Sequence, residues 1–114
     1  MEITDENYRV SFDETNGVVT CQGSFRLRGA EEYQPILDLL ISAADATPEL
    51  LTVDVRELQF LNSSGINTLS KFVLQVRKHN ASQVVIRGNP SVPWQTKSLK
   101  NFQRLLPGLR LEID

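Results

Sequence analysis

The sequence of 114 residues predicts a single α/β domain, in which a mixed, mostly parallel sheet of five strands is joined to three main helices. Segments rich in β-formers alternate along the chain with segments whose apolar residues recur every three or four positions, an order typical of βαβ units. An Asn-Gly pair near the amino terminus predicts one hairpin and hence one antiparallel strand. The length fits one domain that can bury a core without metal or disulfide support.

The predicted strands are short, and turn signals separate the first two. Asn16 and Gly17 both tolerate positive φ, as a tight hairpin turn requires. The third strand reads L-L-T-V-D-V and is expected to end near Val55 or Arg56. Residues 1–7 are expected to form a frayed tail, which leaves residues 8–114 as the domain. The five predicted strands cover residues 8–12, 18–22, 50 to 55 or 56, 83–87 and 109–113.

Three helices are predicted from apolar stripes. Pro35 is expected in the first turn of the first helix, where a missing N–H is tolerated. Asn80 is the expected stop of the second helix, and the third covers residues 94–105 before Pro107 and Gly108. The apolar positions are Tyr33, Ile36, Leu37, Leu40, Ile41 and Ala44 in the first helix, and Ile66, Leu69, Val73 and Val76 in the second.

Composition indicates a soluble cytoplasmic domain. Hydrophobic residues make up 40% and charged residues 23% of the chain, which is ordinary for a globular protein. No apolar run is long enough to span a membrane, and the acidic start M-E-I-T-D-E-N does not resemble a signal peptide. The single cysteine excludes an internal disulfide and suits a reducing compartment.

The net charge of −2 is unevenly distributed. Residues 1–50 carry ten acids against three arginines, a balance of −7, whereas residues 51–114 carry four acids against nine Lys and Arg, a balance of +5. Two halves of one domain are expected to interleave in space, so this asymmetry need not become a surface dipole. The basic residues are dispersed and lack interleaved stacking aromatics, so nucleic acid is not an expected partner. A membrane is not an expected partner either, because no apolar run has the length of a membrane span.

The stretch L-Q-F-L-N-S-S-G-I at residues 58–66 interrupts an apolar run with four polar or small residues. It is predicted to be the loop between the third strand and the second helix, with Asn62 as N-cap and with Leu61 and Ile66 meeting as a hydrophobic staple. Ser63, Ser64 and Gly65 would then form a first turn with free N–H groups that favour an anion. A good cap with no ligand explains the same residues, so both interpretations stay open.

Residues 53–66, V-D-V-R-E-L-Q-F-L-N-S-S-G-I, resemble the signature of the STAS domain, named for sulfate transporters and anti-sigma factor antagonists. The element order resembles that family over about residues 8–113. The resemblance implies a non-enzymatic regulatory protein of signal transduction and transcription, whose partner is an anti-sigma-type serine kinase. It implies that Ser63 is the phosphoacceptor and that the unmodified form binds the kinase. The partner-binding residues would be Asn62, Ser64, Gly65, Asn67 and Arg26.

Two positions depart from the family pattern. Asn62 replaces the motif's Asp, and Arg26 in the G-S-F-R loop stands where an acid is expected. These changes leave open a constitutive scaffold without phosphorylation. They also suggest that Arg26 could pair with a phosphate on Ser63.

Other chemistry has weak support. Cys21 and His79 are too few for a metal site, and no phosphate-binding loop is present, so no catalytic residue, metal or cofactor is expected. Asp54 is interpreted as a structural acid, and Trp94 as a partly buried packing residue. The remaining alternative is a small flavodoxin-like enzyme or anionic-ligand binder. That alternative predicts a deep pocket at the start of the second helix, where a protein-binding switch should be shallow and convex.

Overall fold

The computed structural model describes residues 1–47, 49–79 and 83–113, and within these ranges six strands and three helices follow one another along the chain. The strands are β1 (Glu2–Thr4), β2 (Tyr8–Asp13), β3 (Val18–Phe25), β4 (Leu50–Leu61), β5 (Gln83–Gly88) and β6 (Arg110–Ile113). The helices are α1 (Gly29–Ala46), α2 (Ser63–His79) and α3 (Pro93–Leu105).

The six strands form one sheet whose spatial order is the chain order, β1 to β6. β2 pairs antiparallel with both β1 and β3, and the pairs from β3 to β6 are parallel, so β2 alone runs against the other described strands. The predicted hairpin is confirmed: Gly17 has φ of 67°, and its N–H donates to Asp13 O at 2.8 Å. The α/β class and the mostly parallel sheet are confirmed.

The three helices cover one face of the sheet. Each crossover from β3 onward moves one strand in the same direction, and right-handed crossovers of this kind place every helix on the same side. α1 packs on α2, and α2 packs on α3. Alternate strand residues are buried beneath this layer, and the residues between them face the open side. One row on the open side reads Ser11, Thr20, Asp54, Arg87 and Glu112 across β2 to β6.

The expected count of five strands is too low by one. Residues 2–4, expected within a frayed tail, form β1 instead. Ile3 packs against the core, Arg9 lies 2.7 Å from the Glu2 carboxylate, and Phe12 N–H donates to Met1 O at 2.9 Å. Backbone pairing with β2 therefore orders a segment whose own sequence carries no strand signal.

The first helix begins earlier than predicted. Arg28 N–H donates to the Glu32 carboxylate at 2.9 Å, which fixes the helix start at Gly29. Pro35 consequently lies in the second turn, and the prediction of a first-turn proline is wrong. Its missing N–H removes one internal hydrogen bond from α1. The predicted stop of α2, Asn80, lies outside the described residues.

The third predicted strand, β4, is longer than expected. It continues past Arg56 to Leu61, so residues 58–61 are strand rather than loop. Two register shifts between β3 and β4 keep the strands paired up to Phe25 and Leu61. Leu61, at the end of β4, is followed by a single connecting residue, Asn62, before α2. No helix in the described ranges is long and apolar enough to cross a membrane.

Candidate functional site

The junction between β4 and α2 is one residue long, and Asn62 caps the helix as predicted. Gly65 N–H donates to Asn62 Oδ1 at 2.9 Å, and Ile66 N–H donates to Asn62 O at 2.9 Å. Leu61 is buried and Ile66 is partly buried against the core, so the two apolar residues flanking the polar insert both face inward. The amino terminus of α2 is therefore fixed at the carboxyl end of β4.

Asn62 also joins this turn to the segment between β3 and α1. Its Oδ1 accepts a hydrogen bond from the Tyr33 hydroxyl at 2.7 Å, and its Nδ2 donates to Leu27 O at 2.7 Å. Burial raises the pKa of Tyr33 to about 12, so this hydroxyl keeps its proton. A carboxylate has no N–H to give to Leu27 O, and this contact supplies a physical reason for Asn where the family pattern has Asp.

Ser64 and Gly65 are held by the same segment. Ser64 Oγ accepts a hydrogen bond from Gly29 N–H at 3.2 Å. A Cβ on Gly65 would lie 2.2 Å from Leu61 Cδ1 and 2.8 Å from the Tyr33 hydroxyl oxygen. Only a glycine lets the first turn of α2 approach these side chains so closely. Both residues after Ser63 therefore have structural roles.

Replacing Gly65 by Ala is expected to lower the free energy of unfolding by up to about 2 kcal/mol. Ala normally stabilises a helix interior over Gly by about 1 kcal/mol, but overpacking a tight core contact costs about 1–3 kcal/mol. Urea unfolding followed by circular dichroism measures the difference. Gly108→Ala is the control, because no atom lies within 4 Å of the added Cβ. A stabilised Gly65→Ala protein would contradict the close packing.

Ser63 differs from the other residues of the 62–65 turn, because its side chain faces solvent and is not held by the part of the fold that the structure describes. It is exposed at the first position of α2, and among the described residues its hydroxyl has no hydrogen-bond partner. The amide N–H groups of a helix's first turn lack internal partners, and the helix dipole favours negative charge there. Asn67, one turn further along α2, is also exposed.

Arg26 lies directly after β3, and its guanidinium is 4.1 Å from the centre of the Phe60 ring. Phe60 is 36% exposed, so this cation–π pair lies at the surface of the β3 and β4 carboxyl ends. Pairing between Arg26 and a phosphate on Ser63 stays a prediction.

A groove of about 390 Å³ runs beside the turn, between the start of α1 and the outer side of α2. A protein-binding switch was expected to have a convex surface here. The groove shows that the surface is concave beside the turn. Among the described residues that line the groove, Lys71 has the one titratable side chain. These residues therefore do not provide the combination of an acid, a base and a nucleophile that an enzyme of the alternative interpretation would need. Leu74, 43% exposed, is the large apolar residue among those that line the groove. The lining residues are Gly29, Ala30, Ser64, Asn67, Ser70, Lys71 and Leu74.

The other candidate residues lie apart from this site. Cys21 is buried in β3, where burial raises its pKa to about 12, whereas His79 is exposed at the end of α2. Burial would raise the pKa of Asp54, but hydrogen bonds from Arg56 hold it below its usual value, as expected of a structural acid. Trp94 is partly buried, and its Nε1–H donates to Leu58 O at 2.8 Å. In residues 1–47, 49–79 and 83–113, no group of three or more His, Cys, Asp or Glu is placed to hold a metal ion.

Sequence reasoning missed the long-range partners of the turn. Leu27, Gly29 and Tyr33 come from 29 to 35 residues earlier in the chain than the residues they bind. Tyr33 offered one signal, because a buried tyrosine hydroxyl requires a hydrogen-bond partner. Lys71 and Leu74 were missed because α2 was interpreted mainly through its buried stripe.

The elements and the turn together define a STAS-like fold, as the comparison with solved structures shows. An anti-sigma-factor antagonist (STAS) domain protein from Planctomyces limnophilus aligns with a TM-score of 0.56 and 16% identity, over 96% of this chain and 92% of that one. No protein-family model and no curated protein matches the sequence.

Two structures of one bacterial regulator align more closely than the STAS protein does. Apo-SiaC from Pseudomonas aeruginosa gives a TM-score of 0.72 at 16% identity, over 100% of this chain and 97% of that one. A chain from the complex of the diguanylate cyclase SiaD with its activator SiaC, from the same organism, gives 0.71 at 15%, over 100% and 99%. At such identities the likeness establishes the fold, and the STAS-like prediction is confirmed at that level.

Proposed function

We propose that this chain is a non-enzymatic regulatory module that binds a partner protein through residues 62–65, together with Asn67 and Arg26. One observation carries the proposal. Asn62, Ser64 and Gly65 are fixed by contacts within the fold, whereas the exposed Ser63 hydroxyl, at the positive end of a helix, has no hydrogen-bond partner in the part of the chain that the structure describes. The backbone of this turn is thus held in one conformation, and the Ser63 hydroxyl is the group in it that a partner enzyme can reach and modify.

We further propose that Ser63 is a phosphoacceptor and that the partner is an anti-sigma-type serine kinase. A phosphate would bring a charge of about −1.5 to −2 to the first turn of α2, where the free N–H groups and the helix dipole accept an anion. The fold should therefore tolerate the modification. The effect would fall on the partner, because the charge changes the surface that the partner contacts.

The structural neighbours support a partner protein and suggest a second candidate for its class. SiaC is the activator of a diguanylate cyclase and has been seen in complex with it. A signalling enzyme of the cyclase type is thus a second candidate partner, favoured by the full-length alignment with SiaC. The neighbour from P. limnophilus supports the anti-sigma alternative.

A constitutive scaffold is the competing form of the same function. In that form the surface binds its partner regardless of Ser63, and Arg26 serves the cation–π contact with Phe60 instead of a phosphate. The two forms differ in how binding responds to charge at residue 63.

Ser63→Ala is expected to keep partner binding, and Ser63→Glu to weaken it at least about tenfold, which corresponds to about 1.4 kcal/mol. The reason is the added negative charge at the contact surface. Titration calorimetry with the partner co-purified from the native host measures both affinities, and intact mass of the native chain reports phosphate.

Ser91→Glu is the matched control, because Ser91 is exposed just before the amino terminus of α3 and gains the same charge next to a different helix. Circular dichroism should show all three variants folded. Equal binding by Ser63→Ala and Ser63→Glu, with no phosphate on the native protein, would leave the constitutive scaffold.

A further inference from the structure

The two outer helices of the helical layer carry opposite charge. Within its range Gly29–Ala46, α1 contains four acids and no Lys or Arg, and α3, Pro93–Leu105, contains three bases and no acid. Because the sheet order follows the chain order, α1 and α3 lie towards opposite ends of the sheet. The expectation that the two halves interleave is therefore wrong, and the charge asymmetry of the sequence persists in space. The charged residues are Glu31, Glu32, Asp38 and Asp45 on α1, and Lys97, Lys100 and Arg104 on α3.

Each end of the sheet also has a groove between its edge strand and the neighbouring helix. At the β1 end, a groove of about 290 Å³ is lined in part by Ile3 of the strand and Asp38 of α1. At the β6 end, a groove of about 480 Å³ is lined by Leu111 and Ile113 of the strand and by Lys100, Gln103 and Arg104 of α3. Ile3, Leu111 and Ile113 are only partly buried. Each groove thus combines an apolar floor with a charged helical wall, and the two walls have opposite sign.

Among the described strands, β1 and β6 are the two edges of the sheet, and each has one unpaired side. In the sheet formed by the described residues, β1 pairs only with β2, and β6 pairs only with β5. An edge strand with unpaired backbone groups can accept another strand in register.

We propose that a second copy of this chain docks head to tail, with the β1 and α1 end of one copy against the β6 and α3 end of the next. The contact continues the sheet from β6 to the neighbour's β1 and places Ile3 beside Leu111 and Ile113. It also brings Asp38 of one copy towards Lys100 and Arg104 of the other. Complementary charge fixes this orientation, since β1 against β1 or β6 against β6 would place like charges together.

The two docking surfaces are different, so the contact does not end at a dimer. Each added copy presents a fresh α1 end and a fresh α3 end, and such a heterologous contact builds chains or rings. The 62–65 turn takes no part in it, and assembly can therefore fail or succeed independently of partner binding there.

The test is the mass of the purified chain as a function of concentration and salt. By sedimentation velocity at about 0.1 M NaCl, the average mass should rise with concentration beyond that of a dimer of the 12.9 kDa chain. At about 1 M NaCl, where the screening length falls to about 3 Å, it should return to that of one chain. A wild-type chain that stays monomeric at every concentration in low salt overturns the proposal.

Charge reversal identifies the surfaces. A variant with Glu31→Lys and Asp38→Lys brings the charge of α1 to zero and puts a base on the wall of the β1 groove, and a variant with Lys100→Glu and Arg104→Glu puts two acids on the wall of the β6 groove. Each variant alone should lose assembly beyond the monomer, and an equimolar mixture should regain complexes containing both. All four positions are exposed, so circular dichroism should show both variants folded.

Two further results would contradict head-to-tail docking. One is a mixture of the two reversed variants that remains monomeric while the wild type assembles. The other is an Ile3→Lys variant that assembles as well as the wild type, because that change places a charge on the apolar floor of the β1 groove and should prevent docking. Loss of assembly by Ile3→Lys, with an unchanged circular dichroism spectrum, supports the proposed contact.

Discussion

Replacing Gln95 by Leu should lower the free energy of unfolding by about 3 kcal/mol or more. Gln95 lies in α3 and is fully buried. Its Nε2 donates to Val55 O at 2.6 Å and to Leu58 O at 3.1 Å, and its Oε1 accepts from Asn89 N–H at 2.7 Å. Leucine makes none of these bonds, and each buried group left unsatisfied costs about 1–3 kcal/mol.

These bonds matter because β4 extends beyond its pairing with β5. The β4–β5 register ends at Asp54 and Arg87, while β4 continues to Leu61. Beyond that point, Gln95 supplies hydrogen bonds on the side that β5 leaves open, and the indole of Trp94 reaches Leu58 O as well. The part of β4 that leads into the 62–65 turn is thus held by side chains of α3.

Denaturant unfolding compares Gln95→Leu with Gln103→Leu. Gln103 is on the same helix but exposed, and its Nε2 donates to Leu109 O at 3.0 Å, so its loss should cost no more than about 1 kcal/mol. Similar stabilities for the two variants would show that the buried amide does not secure β4. A Gln95→Leu protein that retains wild-type stability would contradict the hydrogen-bond network itself.

Local periodicity accounts for what the sequence could predict of the fold. The stripe on α1 that includes Tyr33 and Ile36, and the one on α2 that includes Val73, are buried or partly buried against the core, because one face of each helix covers the sheet. The hairpin at Gly17 was predictable from its conformational requirement. β1 was not, because three residues with one apolar side chain give no periodic signal, and the strand depends on pairing with β2.

The contacts of the candidate site also fall into two groups, those that local sequence predicts and those that depend on the tertiary structure. The role of Asn62 as N-cap follows from local sequence, since the capping bond joins residues three apart. Its contacts with Leu27 and Tyr33 do not, because they join residues 35 and 29 positions apart. The opposite charges of α1 and α3 were visible in the sequence, but their separation in space depended on the strand order.

The long-range contacts of Asn62 lead to the second large expected effect. Asn62→Ala removes the N-cap, at about 1 kcal/mol, and leaves the Tyr33 hydroxyl and Leu27 O without their side-chain partner. We expect the free energy of unfolding to fall by about 3 kcal/mol. Asn67→Ala is the control, because Asn67 is an exposed asparagine of α2, the helix that Asn62 caps. Equal effects at positions 62 and 67 would mean that Asn62 acts as an ordinary surface residue.

Asn62→Asp separates capping from the long-range donor. A carboxylate still accepts from Gly65 N–H and from the Tyr33 hydroxyl, and the helix dipole favours its charge by about 0.3–1 kcal/mol. It cannot donate to Leu27 O and instead sets a negative oxygen against that carbonyl. A net loss of about 1–2 kcal/mol is therefore expected at neutral pH, smaller than for Asn62→Ala.

The difference in stability between Asn62→Asp and wild type should shrink as the pH falls through about 4 to 5, because a protonated carboxyl can donate to Leu27 O. Urea unfolding of both proteins at matched pH measures this. An Asn62→Asp protein as stable as wild type at neutral pH would show that Leu27 O does not require the amide, and the explanation for Asn at this position would be wrong.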